Sequence, residues 1–396
     1  MSAPLLMLKE LGTIHTGSTP KTNDESLFGG DVPFVTPGDL DAVSPIQSTP
    51  RTLTEAGVKT ANLLPAESVL VCCIGSLGKI GFAGRPVVTN QQINAVVFNP
   101  AKVHARYGFF ACRMLKPQLD LMAPATTVPI VNKSRFSELR IPVPPLEEQR
   151  RIATILDQAE TLRTQRRQAL AHLDTLTQSL FLDMFGDPVA NPKNFVTGVL
   201  GDVCDLFNGY AFKSDDYVEV SNTLNCRMSN IRPNGEFNIE YHPKYLPDSY
   251  AEEYKRFLLR DGDVIIAMTD MASEVKILGV PTIVDTKGKA VLLNQRVGKL
   301  LLRDRVDIDI PFLRQMLAQK YVKSFYQKFA SGGVQINLGK GDLLSVPIVL
   351  PPLPLQQTFA TRIQAIEALK ATHRTALAQL DALFASLQQR AFTGVL

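Results

Sequence analysis

The chain has 396 residues, with 42 Lys and Arg against 38 Asp and Glu, and it is 45% hydrophobic. That length gives room for two domains with real cores, and a net charge of +4 argues against a nonspecific nucleic-acid binder held by charge alone. No apolar run could span a membrane, and MSAPLLMLKE lacks the basic segment and apolar core of a signal peptide; five cysteines without C-x-x-C spacing and five scattered histidines point to a reducing cytoplasm and to no metal.

In chain order, residues 1–143 alternate short β-rich runs with Gly, Pro, Asn and Asp turns. Ser68–Ile74, Pro86–Val88 and Ala95–Phe98 read as strands, Ala105–Leu115 as a helix and Glu138–Val143 as a closing strand. PVPP then breaks the chain, because Pro lacks an N–H and restricts the residue before it. Residues 144–187 read as one helix of roughly forty residues, about 60 Å long. Residues 188–350 repeat the mixed pattern, with strands at Asp263–Met268, Thr282–Val284 and Val297–Leu302. A helix over Ile310–Phe329 and a closing strand at Leu344–Leu350 follow. LPPLP breaks the chain again, and residues 351–396 read as a second long helix.

The layout is therefore domain, helix, domain, helix, with both parts duplicated. Aligned on P-P-L, Leu170, Leu173, Asp174, Leu176 and Phe185 fall on Leu377, Leu380, Asp381, Leu383 and Phe392. The domains repeat more faintly. Leu8-Lys9-Glu10-Leu11 and Gly17 match Leu200-Gly201-Asp202-Val203 and Gly209. Leu63–Leu70 matches Leu258–Ile265, Asn90-Gln91 matches Asn294-Gln295, and Val128-Pro129-Ile130 matches Val334-Gln335-Ile336. The predicted fold class is α+β: two mixed α/β domains joined by two long antiparallel coiled-coil helices in a pseudo-twofold internal repeat.

Apolar residues step by three and four along both helices, as in a coiled coil. The first carries Ile152, Leu156, Ala159, Leu170, Leu173, Leu180 and Met184, interrupted by Arg163 and Arg166. The second carries Ile363, Ile366, Leu369, Leu377, Leu380, Leu383, Leu387 and Phe392. The natural partner of each helix is the other. Ile155, Leu162, Leu176, Phe181 and Phe384 fall outside the narrow seam and are expected to offer apolar surface to another protein.

Specific motifs then carry a resemblance. PPLEEQRRIATILD, ending in FGDP, resembles the central conserved region of the specificity subunits of type I restriction-modification systems. GSTPKT at 17–22, Pro33–Leu40, Ile74-Gly75-Ser76-Leu77-Gly78-Lys79-Ile80-Gly81 and Asn90-Gln91-Gln92 resemble one type of target-recognition domain. The second half departs from the pattern: LPPLPLQQ replaces PPLEEQ, and Met268-Thr269-Asp270 stands where the first half has its glycine loop. The resemblance implies two target-recognition domains, each reading part of a split, asymmetric double-stranded DNA site, with the helices setting the gap. The helices would also dock methyltransferase subunits, two in number, which bind S-adenosylmethionine and flip an adenine, and motor-nuclease subunits would join them. The chain itself would bind no cofactor; S-adenosylmethionine, ATP and magnesium would belong to those partners, in the cytoplasm.

Arg, Lys, Asn, Gln, Ser and Thr in loops beside glycine make phosphate and bidentate base contacts. The candidate DNA contacts are Ser18, Thr19, Lys21, Thr36, Lys79, Asn90, Gln91 and Lys133 in the first domain. In the second they are Lys213, Arg227, Asn230, Lys276, Asn294, Gln295 and Lys340. Candidate subunit-interface residues are Ile152, Leu156, Leu170, Leu173, Leu180, Ile363, Leu377, Leu380 and Leu387. Enzymatic readings fare poorly. Asn191-Pro192-Lys193-Asn194-Phe195 lacks the second Pro of N-P-P-Y, and Gly75, Gly78 and Gly81 lack G-x-G-x-x-G spacing. Asp263 with Glu274 and Lys276 is a nuclease-like set with no counterpart in the first half. The main alternative is a non-catalytic protein-binding scaffold with two repeated interaction domains.

Overall fold

The computed structural model describes residues 3–41, 43–123, 128–271, 276–304, 306–329 and 335–393. The chain divides into two compact units, Met1–Leu170 with Thr372–Leu396, and Ala171–Ala371. Each long helix therefore contributes one half to each unit, so neither helix stands as a body apart from the domains.

In the first unit an antiparallel sheet runs in the order Gly12–Thr16, Ile93–Phe98, Val69–Cys72, Ile80–Phe82. Val69–Cys72 is buried on both faces, which is why it reads as a continuous apolar run rather than an alternating one. Val69 and Val71 face a core with Tyr107, Phe109 and Phe110 of the helix Ala105–Arg113. Leu70 and Cys72 face the other way, onto Val35 and Val87. Those belong to a second sheet, ordered Thr52–Leu53, Phe28–Val35, Val87–Thr89, Leu63–Leu64, whose two central strands are parallel. Leu5–Met7 pairs with Arg140–Pro142 and ties the start of the domain to its end.

The second unit repeats this plan. Its antiparallel sheet runs Cys204–Asn208, Val297–Leu302, Val264–Ala267, Pro281–Ile283. Val264 and Ile266 face the core with Phe312, while Ile265 and Ala267 face the core with Val291 and Leu293. The smaller sheet is Tyr245–Leu246, Thr223–Cys226, Ala290–Leu293, its last pair parallel. Val196–Val199 pairs with Pro347–Leu350, closing this domain as the first is closed. The sequence match at the late loop also has a structural form: Ile74 bridges Ile130, and Asp270 faces Ile336 where Thr269–Met271 pairs with Gln335–Asn337.

One expectation is corrected. Ile310–Phe329 is two helices, Ile310–Leu317 and Lys320–Gln327, because Gln319 leaves helical geometry with ψ 147°. The buried stripe of Leu313, Met316 and Leu317 would continue at Lys320 and Ser324. The buried residues are Val322 and Tyr326 instead, so the stripe changes phase and the helix breaks. The first unit breaks at the equivalent place, between Ala105–Arg113 and Lys116–Met122.

The long helices are Leu146–Phe185 and Leu353–Thr393, of 40 and 41 residues. Gly186 ends the first at φ +76°, its N–H returning to the Leu182 carbonyl at 2.8 Å. The helices pair antiparallel. In the first unit Ile152, Leu156 and Ala159 share a core with Phe384 and Ala391. In the second, Phe181 and Phe185 pack on Phe359 and Phe312, at ring separations of 4.8 to 6.0 Å. A second expectation is thereby corrected. Phe181 and Phe384 are 0% and 4% exposed and face the cores, not a partner. Leu162 and Leu176 do stay outside, each 49% exposed.

Candidate nucleic-acid interface and helix-pair surface

In the first unit the chain leaves the strand Gly12–Thr16 through Gly17, which lies against Thr89 and Asn90. A Cβ at Gly17 would collide with both their carbonyl oxygens, so the close approach requires glycine. Gly17 N–H donates to the Ile93 carbonyl at 3.0 Å and Ser18 N–H to that of Thr89 at 2.9 Å. Thr19 Oγ1 donates to Gln91 Oε1. Asn90 N–H donates to the Val35 carbonyl, and Asn90 Oδ1 accepts the Gln92 N–H at 3.2 Å. Thr36 follows Val35, with its N–H and hydroxyl both on Asp39 Oδ2 at 2.8 Å.

The second unit builds the same turn from other residues. A Cβ at Gly209 would collide with the carbonyls of Leu293 and Asn294. Asn294 N–H donates to the Cys226 carbonyl at 3.1 Å, and Asn294 Oδ1 accepts the Arg296 N–H at 3.2 Å. Arg227 follows Cys226, its N–H on Asn230 Oδ1 at 2.8 Å, where Thr36 has Asp39. Gln295 N–H returns to the Tyr210 carbonyl at 3.0 Å.

The fold thus brings together Ser18, Thr19, Thr36, Asn90 and Gln91 in one unit, and Arg227, Asn294 and Gln295 in the other. Thr19, Lys21, Gln91, Lys213 and Gln295 are exposed. Asn90 and Asn230 are 8% and 1% exposed. Asn230 spends its amide on the carbonyls of Asn238, Ile239 and Tyr241, so it shapes the loop and leaves nothing for a base. Lys79 closes the hairpin before Ile80–Phe82 and lies 3.7 Å from Asp41. Lys133 and Lys340 begin equivalent short helices, Lys133–Ser137 and Lys340–Leu344. Lys340 pairs with Asp205 at 2.7 Å, near the start of Cys204–Asn208, and this lowers the Asp205 pKa. Lys133 lies beside Gly12 and Ile14. Both are at the opposite end of the first strand from the glycine turn. Lys276 is exposed.

The nuclease-like set does not assemble among the described residues. Asp263 binds Lys299 at 2.7 Å and accepts the Arg260 N–H, and Glu274 lies outside the described residues. No group of three His, Cys, Asp or Glu among the described residues is placed to hold a metal ion.

Sequence reasoning missed an aromatic group beside the second turn. Tyr210, 39% exposed, lies 5.0 Å from Phe212 and 4.7 Å from Tyr254; a hydrogen bond with Tyr210 pushes the Tyr254 phenol up. Tyr210-Ala211-Phe212 right after Gly209 was the available signal. Leu162 and Leu176, expected outside the seam, are each 49% exposed, but Leu369 and Leu383, expected within the seam of the second helix, are 53% and 50% exposed, because they stand at the same repeat positions as Leu162 and Leu176. Of the predicted interface residues, Ile152, Leu156 and Ile363 are buried in the cores. Leu173, Leu180 and Leu387 are half-buried and pack on them, and Leu170, Leu377 and Leu380 are half-buried too.

Two α+β domains of one plan, each closing onto a long helix of an antiparallel pair, define a duplicated recognition protein. The type I restriction modification DNA specificity domain matches twice, over residues 6–172 and 192–382, and the chain belongs to that family. It is a type I restriction-modification specificity subunit with two recognition domains. The MjaVIII specificity subunit of Methanocaldococcus jannaschii is 26% identical over 334 residues, which is 80% of this chain and 75% of that protein. The MjaIX specificity subunit of the same organism is 25% identical over 381 residues, 91% and 85% of the two chains. The S subunit of a type I system from M. genitalium has the same fold at TM-score 0.63 and 14% identity, covering 98% of this chain and 96% of that one. No helix among the described residues is long and apolar enough to cross a membrane.

Proposed function

We propose that each unit reads one part of a bipartite, asymmetric DNA target through its glycine turn. The supporting observation is that one backbone circuit is built twice and carries different side chains. Ser18, Thr19, Thr36 and Gln92 in the first unit stand where Tyr210, Ala211, Arg227 and Arg296 stand in the second, and only Gln91 and Gln295 are alike. Equal scaffolds hold the two surfaces alike, and unequal side chains read unequal base edges. The helix pair sets the gap between the parts. The exposed leucines come in repeat-matched sets, Leu162 and Leu383 in the first unit and Leu369 and Leu176 in the second, which suits two copies of one partner.

Those partners are methyltransferase subunits, with motor-nuclease subunits joining them on DNA in the cytoplasm. S-adenosylmethionine, ATP and magnesium belong to the partners, and this chain performs no chemistry. The test is an exchange of residues 1–143 for the same domain of a relative, followed by mapping of methylated adenines in the host genome. One half of the motif should change and the gap should stay. Change in both halves would mean a single composite reading surface, and an unchanged motif would remove the chain from recognition.

A further inference from the structure

The helix pair contains one ion cluster built twice with the helices exchanged. In the first unit Arg163 binds Glu160 on its own helix and Asp381 on the other, the latter at 2.6 Å. In the second, Lys370 binds Glu367 on its own helix at 2.9 Å and Asp174 on the other at 2.8 Å. Glu160, Arg163 and Asp174 map onto Glu367, Lys370 and Asp381 by the offset that carries Pro144-Pro145-Leu146 onto Pro351-Pro352-Leu353. Arg166 donates to His373 Nδ1 at 3.0 Å, and these two also occupy each other's position in the repeat. At this self-matching point the repeat sets an arginine against a histidine instead of a second arginine.

These ions are poor candidates for simple stabilisers. The side chains of Arg163, Glu160 and Lys370 are 14%, 8% and 6% exposed. Their partners Asp381, Asp174 and Glu367 are 44%, 69% and 39% exposed, so desolvation of the buried group and solvent screening of its partner both offset the attraction. Discrimination between registers is what they supply. Both cross-helix contacts belong to one register: the eleven residues forward from Arg163 to Asp174 are eleven residues back from Asp381 to Lys370. An apolar seam alone tolerates a slip of one heptad, about 10 Å at 1.5 Å per residue. Slipped one way, Arg163 meets Arg374 and Lys370 meets Arg167, like charges at both places. Slipped the other way, Arg163 meets Gln388 and Lys370 meets Phe181, so each keeps the glutamate of its own helix but loses its carboxylate on the other.

We infer that the two clusters are the register lock of the helix pair, and that Glu160, Arg163, Asp174, Glu367, Lys370 and Asp381 determine which single spacing the chain encodes. The link from register to DNA gap rests on the reading of the helices as spacer; the lock itself does not.

The test uses the full chain in its assembled complex, with all six residues made apolar: Glu160→Leu, Arg163→Met, Asp174→Leu, Glu367→Leu, Lys370→Met and Asp381→Leu. Nitroxide labels at the exposed positions Gln158 and Ser386 report the register by pulsed dipolar spectroscopy. The expected result is a thermal midpoint at or above wild type, a second distance population from a one-heptad slip, and methylated sites with more than one gap. A single wild-type distance overturns the lock, whether the midpoint falls or not. A split distance with one unchanged gap sustains the lock and removes the spacer reading instead.

Should that variant not fold, Glu160→Gln with Arg163→Asp is compared with the same pair plus Asp381→Arg. The first should split the distance or lose the complex, and the added exchange should restore the wild-type distance. A defect unchanged by the exchange, or no defect in the first, overturns the proposal.

Discussion

Gln149 and Gln356 make the same three hydrogen bonds in the two halves of the chain. Gln149 Oε1 accepts the His104 N–H at 2.8 Å, and its Nε2 donates to the carbonyls of Lys102 and Pro144 at 3.0 and 2.8 Å. Gln356 Oε1 accepts the Asp309 N–H at 2.9 Å, and its Nε2 donates to those of Asp307 and Pro351 at 3.1 and 2.7 Å. Both are fully buried. Each fastens the first turn of a long helix to the segment that opens a domain helix, Ala105–Arg113 or Ile310–Leu317. Removal of either amide strands one N–H and two carbonyls, at about 1–3 kcal/mol. Gln149→Ala and Gln356→Ala should each lower the thermal midpoint by roughly 2–12 °C for a unit of this size. The change Gln357→Ala at the exposed neighbour should alter stability by no more than about 0.5 kcal/mol. Equal midpoints for Gln149→Ala and Gln357→Ala would show that the node carries no load.

The exposed leucines test the docking surface better than the half-buried seam leucines. Leu173 packs on the second core, so an Asp there damages the fold as well as any partner site. Leu162→Asp with Leu383→Asp, both in the first unit, should change the stability of the free chain by no more than about 1 kcal/mol and reduce recovered methyltransferase subunits from two to one. The same changes at Leu176 and Leu369, both in the second unit, should remove the other copy. Mass determination of the purified complexes reads both outcomes, and two subunits retained in both variants would place docking elsewhere.

The two ends of the first strand give different expectations for salt. Lys79→Ala should reduce the salt slope of DNA binding by about 0.9, the share of one phosphate, with an unchanged motif. Lys133→Ala, at the far end from the glycine turn, should leave the slope as it is. A larger effect at Lys133 than at Lys79 would put DNA on the other edge of the domain.

Burial pushes the thiols of Cys73, Cys204 and Cys226 up from 9.0 to about 12, and it raises the Tyr326 phenol as well. The folded chain therefore holds protons that the unfolded chain releases. This contribution to stability is complete below pH 9 and is lost as pH rises from 9 toward 12. Denaturant midpoints should fall progressively over that window, by up to about 1.4 kcal/mol per pH unit for each such thiol. All five cysteines are free and buried, so Ellman's reagent should find none rapidly in the native chain at pH 8 and five in guanidinium. A fast-reacting thiol in the native chain would contradict the burial.

The duplication, the long helices and the doubly buried strands were legible in the order of residues. A helix of forty residues preceded by prolines is set by local periodicity, and a run such as Val69–Cys72 by its short length, its turn-forming neighbours and two apolar faces that must be covered. The glycine turns were half legible. Gly17 with Asn90, and Gly209 with Asn294, stood out as repeated motifs, but their contact depends on two strand ends far apart in sequence meeting across a sheet. Which side chains point outward also waited on the fold. Asn230 reads like a base-contacting amide until its three carbonyl partners appear. Phe181 and Phe384 lie outside a narrow heptad seam, yet a broad one takes them in.

The charges within the helices divide the same way. Arg163 and Arg166 are visible in the sequence only as interruptions of an apolar stripe. Their partners Asp381 and His373 lie more than two hundred residues on, and only antiparallel packing selects them. The sequence by itself determined two copies of one plan and the helices that follow them, because periodicity and turn chemistry act locally. Register, exposure and the pairing of charges were decided by tertiary structure, because each is a relation between surfaces that do not exist until the chain has folded.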